Sequence, residues 1–422
     1  MTHLNELYLI LNKYLKWNKS HLKCFALIML VIILKQTCNL SSASKALPKA
    51  HRMRNYKIDI LRGISILLVL LHHFNIPYKL KDTWLGFDFL GEAFSTVIAR
   101  NGNYGVTMFF VISGFLITHH TLKRDKQFSA INLKHFYIRR AARILPCLVL
   151  LILGVSILGS FDLKPFMNQA PNGIEVSYPL TIFAALTFWM NILIIKFGWV
   201  NYALGVLWSL SVEEVFYFVF PLLCLLTRSN KVFIAVFVGV ILYGPYFRSL
   251  HFGEESGAYL YHYFSSFDGI AVGCLTAIFS HKYQPNWTYK KPLSWLIILS
   301  MTALYLYAPI KEVSTWGISL FALATGLLIL CFQHPSETQA HSLFTKVMVW
   351  LGQRSYETYL FHLVVLGLMK VAFIPAQTDS SIKIMLLIGY LVLTFIISAA
   401  IEKYYSTPLN SYIRKVFIKD KS

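Results

Sequence analysis

Charge is what this 422-residue chain has least of. Only 14% of its residues are Asp, Glu, Lys or Arg, against about a quarter in a soluble domain. That deficit excludes an ordinary soluble globular protein. Acids are the scarcer sign, 19 against 39 Lys and Arg, for a net charge of +20. The six cysteines (Cys24, Cys38, Cys147, Cys224, Cys274 and Cys331) include no CxxC pair, and four lie in apolar runs. A disulfide framework and a metal site are therefore not expected, and the cysteines read as small core residues. No internal repeat, glycine-rich linker or appended soluble domain is visible. What is present is 56% hydrophobic residues in long runs, the pattern of an all-α, polytopic transmembrane helix bundle. In such a protein excess Lys and Arg marks cytoplasmic loops, so nucleic acid is not an expected partner.

The apolar runs give eleven candidate helices: 58–78, 104–121, 144–160, 179–197, 206–227, 231–248, 262–280, 292–308, 314–333, 347–371 and 382–404. Residues 1–52 stand apart as a basic N-terminal extension. Its one apolar run, "CFALIMLVIIL", has eleven residues, too short for the roughly 20 a span needs. Met53 is read as an alternative start. The transmembrane domain then covers 53–410, and 411–422 forms a basic tail. The segment 122–143 holds seven Lys or Arg and a single acid, Asp125, so it belongs in the cytoplasm. The basic stretch at 45–57 and the C-terminal "IRKVFIKDKS" belong there too. Eleven complete crossings would put the two termini on opposite sides. One segment is therefore expected not to cross, and a fault within 179–227 sorts the later loops well. The expectation is about ten spans with both termini cytoplasmic.

Ionisable groups inside membrane helices are costly and mark candidate functional sites. In "ILRGISILLVLLHHFN", Arg62 and His73 are eleven residues apart. That is roughly 1100° of helix, three turns plus about 20°, with an axial separation of about 16 Å. The two share a face; His72 points about 80° away from Arg62. Asp59 sits one turn before Arg62 and can hold it. The plainer alternative is an interfacial arginine that snorkels. In "FYIRRAARILP", Arg139, Arg140 and Arg143 stand at a membrane entry, with Arg140 and Arg143 at i, i+3. Their forked guanidinium groups suit phosphate, although membrane anchoring also explains them. In "LWSLSVEEVFYFVFP", Glu213 and Glu214 lie within an apolar run, and Glu213 faces Tyr217 at i, i+4. It is either a functional carboxylate or a hydrogen-bond node between helices. "FFVISGFLIT" offers Ser113 beside Gly114, where helix packing is explanation enough. "SFDGIAVG" embeds Asp268, and "SYETYLFH" carries Glu357, Tyr359 and His362.

In this order, these motifs resemble the acyltransferase 3 family of integral membrane acyltransferases, over about residues 54–410. The resemblance implies acyl-CoA, often acetyl-CoA, as a co-substrate entering from the cytoplasm, with no permanently bound cofactor. It implies a bacterial inner-membrane, multi-pass protein that acylates a hydroxyl of a cell-envelope carbohydrate such as a polysaccharide, lipopolysaccharide or lipid-linked glycan. By the same resemblance Arg62, Arg140 and Arg143 hold the donor, and His73 and Glu213 are catalytic. Asp59, Ser113, Tyr217, Asp268 and His362 support them. His73 would then act as general base on the acceptor hydroxyl or carry the acyl group itself. Two other readings stay open: a proton-coupled secondary transporter, which also buries Glu, Asp and His, and a membrane assembly or sensing protein without turnover.

Overall fold

The computed structural model describes residues 55–83, 101–125, 127–227, 230–283, 288–332 and 342–418. The extension 1–52, with Cys24, Cys38 and Met53, lies outside the described residues. Among those described, the fold is all-α, and the one β feature is an isolated bridge between Asn168 and Asn201.

Fourteen labelled helices follow in chain order among the described residues. They are α1 (Tyr56–Tyr78), α2 (Asn103–Asp125), α3 (Leu133–Ser160), α4 (Tyr178–Leu186), α5 (Met190–Phe197), α6 (Leu207–Leu226) and α7 (Asn230–Leu250). Then come α8 (Phe267–Tyr283), α9 (Lys290–Tyr307), α10 (Ser314–Cys331), α11 (Leu343–Gln353), α12 (Ser355–Ala372), α13 (Ser380–Ile401) and α14 (Thr407–Phe417). By length and composition seven described helical segments can cross a membrane: α1, α2, α3, α6, α7, α10 and the continuous α13–α14. Three more, α8, α9 and α12, have 17 or 18 residues but carry more polar groups. Together these account for about ten spans.

The run 179–197 does not form one helix. It breaks between α4, nine residues, and α5, eight residues, each about 12–14 Å long against a hydrocarbon layer of about 30 Å. Phe188 turns the chain at φ 60°, and its carbonyl accepts from the Tyr263 hydroxyl at 2.7 Å. Ser211 of α6 caps the start of α5 by accepting from Met190 N–H at 3.1 Å. The interruption thus falls where the charge parity required one. The last apolar run also differs from expectation. It continues past 404 through a π-helical turn at Glu402–Ser406 into α14.

Polar residues set the helix ends. Asn55 caps α1, accepting from Lys57 N–H at 3.1 Å, and its amide donates to the Phe332 carbonyl at 2.9 Å. Asn132 caps α3 through His135 N–H at 2.9 Å. Buried Asn101 donates to the carbonyls of Tyr305 and Ala308 and accepts from Ile310 N–H at 2.8 Å, which pins the turn after α9.

Close helix approach comes from paired glycines. A Cβ on Gly63 would overlap the Met348 carbonyl, and one on Gly352 would overlap the Asp59 carbonyl, so α1 and α11 meet backbone to backbone. On its other side α1 meets Gly102 and Gly105, where a Cβ would overlap the carbonyls of Leu68 and Ser65. Gly114 and Gly273 bring α2 and α8 together in the same way. This is the small-residue packing that replaces hydrophobic drive inside a bilayer.

Candidate active site

His73 lies near the far end of α1, six residues before its left-handed cap at Lys79 (φ 43°). It is half-buried and faces His362 of α12, which is fully buried. The ring centroids are 4.8 Å apart at an interplanar angle of 60°. His73 Nδ1 lies 2.9 Å from the Val69 carbonyl and 3.3 Å from His362 Nε2. His362 Nδ1 lies 2.6 Å from the Tyr359 carbonyl. A carbonyl oxygen only accepts, so in the neutral pair each Nδ1 carries the proton. His362 Nε2 then accepts from His73 Nδ1–H, and His73 Nε2 is left with its lone pair and no hydrogen-bond partner among the described residues. A neutral imidazole nitrogen of this kind, held by its other nitrogen, can take a proton or an acyl group. His72, in contrast, packs against Gly102 at the start of α2.

Two further sets of hydroxyl and carboxylate bonds lie along α6. Tyr359 donates to the Val206 carbonyl at 3.2 Å and accepts from Ser209 Oγ at 2.6 Å. One turn on, Glu213 Oε1 accepts from both Ser113 of α2 and the Tyr217 hydroxyl, and Ser113 also contacts Tyr217. The Arg140 guanidinium lies 3.8 Å from the centroid of the Tyr217 ring, a close cation–π contact. Glu214 is an electrostatic neighbour of Arg140.

Arg143 goes elsewhere. It pairs with Glu357 of α12 at 3.1 Å, and Ser406 donates to the same carboxylate at 2.6 Å. Glu357 is fully buried, while the Arg143 side chain is 31% exposed, leaving guanidinium surface for a further anion. Arg140 and Arg143, expected as a pair on one face, therefore take different partners at one end of the bundle. Arg62 is half-buried on α1, three turns from His73, and buried Asp59 sits where α11 presses on α1.

The structure brings together His73, His362 and Tyr359, and separately Ser113, Glu213, Tyr217 and Arg140. It sets Asp268 apart. Its carboxylate pairs at 2.8 Å with Arg248 of α7, both side chains no more than 1% exposed, and accepts from Ser319 at 2.5 Å. Ser113 bonds to Glu213 as well as standing beside Gly114, which alone makes the close approach. Two residues escaped the sequence reading. Ser209 sits one helical turn before Glu213, a spacing that could have revealed it. Arg248 ends an apolar run, where it looks like an interfacial anchor.

A family model described as an acyltransferase domain, that of the acyltransferase 3 family, matches residues 55–403. The chain belongs to this family. Among its relatives is a Staphylococcus aureus protein named as an O-acetyltransferase, 29% identical over 358 residues, covering 79% of this chain and 54% of that one. The peptidoglycan O-acetyltransferase OatA of Listeria monocytogenes is 24% identical over 377 residues, 83% of this chain and 55% of its own. The O-acetyltransferase OatA of Staphylococcus aureus is 24% identical over 381 residues, 85% and 58%. The chain thus spans little more than half the length of these relatives. No solved structure matches it. Several apolar helices and the family membership make the chain an integral membrane protein of the acyltransferase 3 family.

Proposed function

We propose that this protein is a membrane O-acetyltransferase. It moves an acetyl group from acetyl-CoA to a hydroxyl of a cell-envelope carbohydrate, with peptidoglycan, the substrate in the name of one relative, as the first acceptor to examine. It sits in the bacterial inner membrane with both termini cytoplasmic, as the excess of Lys and Arg in the terminal stretches and in every second loop of the sequence directs.

The observation that carries this reading is the Nε2 of half-buried His73, without a hydrogen-bond partner among the described residues, whose other nitrogen is engaged by Val69 and His362. The donor nucleotide is bound at the basic end of the bundle by Arg140, Arg143 and Arg62. The thioester arm lies along α1, about 16 Å from Arg62 to His73. His73 Nε2 takes the proton from the acceptor hydroxyl as its oxygen attacks the thioester carbonyl, and returns it to the leaving thiolate. In the two-step variant His73 Nε2 attacks the thioester carbonyl and expels the CoA thiolate; the acceptor hydroxyl then attacks the N-acyl carbonyl, the C–N bond breaks, and the hydroxyl proton passes through the freed Nε2 to the thiolate. Labelled acetyl-CoA supplied without acceptor separates the two, because only the second leaves label on the protein. Glu213, held by Ser113 and Tyr217, orients the arm beneath Arg140.

The test is mass spectrometry of envelope glycans from cells with and without the protein. The expected difference is one acetyl group per modified sugar, lost in the His73→Ala variant. Full acetylation in that variant would sink the assignment.

A further inference from the structure

Beyond the histidine pair, away from Arg140, lies a second polar cluster that the donor path does not use. Phe74 follows His73, and its ring stacks on Tyr78 at 4.9 Å and on Tyr390 of α13 at 5.6 Å. Tyr390 is fully buried, yet its hydroxyl has no hydrogen-bond partner among the described residues. Tyr202, in the loop before α6, is an electrostatic neighbour of both Tyr390 and Tyr78. Its hydroxyl is also buried and without a partner among the described residues. Over the Tyr202 ring stands Lys370 of α12, its Nζ 3.8 Å from the centroid. Lys370 is half-buried, and among the described residues no carboxylate pairs with it.

The cluster is tied to the histidines by position. Lys370 lies eleven residues after Tyr359 and so shares its face of α12, about 16 Å further along, with His362 between them. The loop bearing Tyr202 runs beside that face, because the Val206 carbonyl accepts from Tyr359 at 3.2 Å. Buried hydroxyls are normally paired. Two left unpaired, one of them on the ring beneath a half-buried cation that pairs with no described carboxylate, make a site whose polar partners come from a ligand. Phenol hydroxyls bond sugar hydroxyls, and an ammonium group takes a carboxylate or phosphate.

We propose that Lys370, Tyr202 and Tyr390 form the acceptor subsite, and that the acceptor carries an anionic group, carboxylate or phosphate, on or next to the sugar acylated at His73. The subsite has this meaning only under the acyltransferase reading above, and the experiment separates the two.

Cells producing wild type, Lys370→Met, Lys370→Arg or Tyr202→Phe are compared by mass spectrometry of their envelope glycans. Each protein, purified in nanodiscs, is assayed for the KM of acetyl-CoA by thiol release in the presence of isolated envelope glycan as acceptor. In wild type the acetylated sugar should bear or adjoin a carboxylate or phosphate, and fragmentation tells which. Lys370→Met should lower glycan acetylation roughly tenfold, the order expected for a lost charge-assisted hydrogen bond. Lys370→Arg should keep most of it, and the KM for acetyl-CoA should match wild type in both. Tyr202→Phe should lower acetylation without moving that KM. Acetyl groups found only among neutral sugars would overturn the subsite, as would wild-type acetylation in Lys370→Met or equal loss in Lys370→Met and Lys370→Arg. A raised acetyl-CoA KM in Lys370→Met would overturn it too, since the lysine would then serve the donor or the fold. Absence of both thiol release and glycan acetylation in wild type would instead bring down the acyltransferase reading itself.

Discussion

At the scale of single residues, the site depends on what each imidazole is bonded to. His72 and His73 are adjacent in sequence, but His73 is bonded to His362, at 3.3 Å, while the base of the His72 side chain is set against Gly102. Replacing His73 by Ala should therefore cost about 10²–10⁴ in kcat, whereas His72→Ala should retain most activity, read as thiol release from acetyl-CoA in nanodiscs. Equal losses would mean that the face of α1 has been misassigned. The helical period made this division legible in the sequence, because 100° per residue separates neighbours and returns Arg62 to the face of His73. The identity of the partner was not legible. His362 lies 289 positions away, and no local spacing encodes which helix stands opposite. The same holds for Arg143. No local spacing encodes its bond to Glu357, 214 positions away.

At the scale of helices, two devices hold the bundle, and each has a measurable consequence. The first is backbone contact at Gly63 and Gly352. The side chain introduced by Gly352→Leu has no room beside the Asp59 carbonyl. Overpacking costs about 1–3 kcal/mol or more where backbone must move. The variant should show a lowered midpoint in detergent thermal unfolding followed by size-exclusion chromatography. The second is the buried Arg248–Asp268 pair joining α7 and α8. Breaking it with Arg248→Met strands a carboxylate and should cost about 3–5 kcal/mol, while Arg248→Met combined with Asp268→Leu should recover much of the loss. A double variant no more stable than the single one would show that the pair does more than neutralise itself. Apolar run length revealed most of these helices, since a span must be long and apolar to exist at all. The break at Phe188 was indicated only by charge parity. The residues around it are as apolar as their neighbours, and the bonds that fix it, from Tyr263 and Ser211, come from other helices.

At the scale of the whole molecule, the basic ends of α1, α3, α9 and α11 and the acidic loop Glu254–Glu255 lie at opposite ends of the spans. In a background with the six native cysteines replaced by alanine, Ser256→Cys should react with an impermeant maleimide on intact cells. Lys291→Cys should react only after permeabilisation. The opposite pattern would invert the proposed orientation and with it the side from which donor enters. The arrangement of contacts around α1 also bears on how such an enzyme moves. This helix touches α11 and α2 through main-chain atoms on two sides, at Gly63, Gly352, Gly102 and Gly105, whereas α12 and α6 meet across single hydroxyl bonds such as Ser209–Tyr359. Sliding α1 would break many dispersion contacts together; shifting α12 or α6 exchanges a few hydrogen bonds. The helix that bears His73 is therefore the stator of the machine. Under the activity proposed above, room for a bulky acceptor comes more readily from parting α12 and α6 than from moving α1, which carries the His73 imidazole.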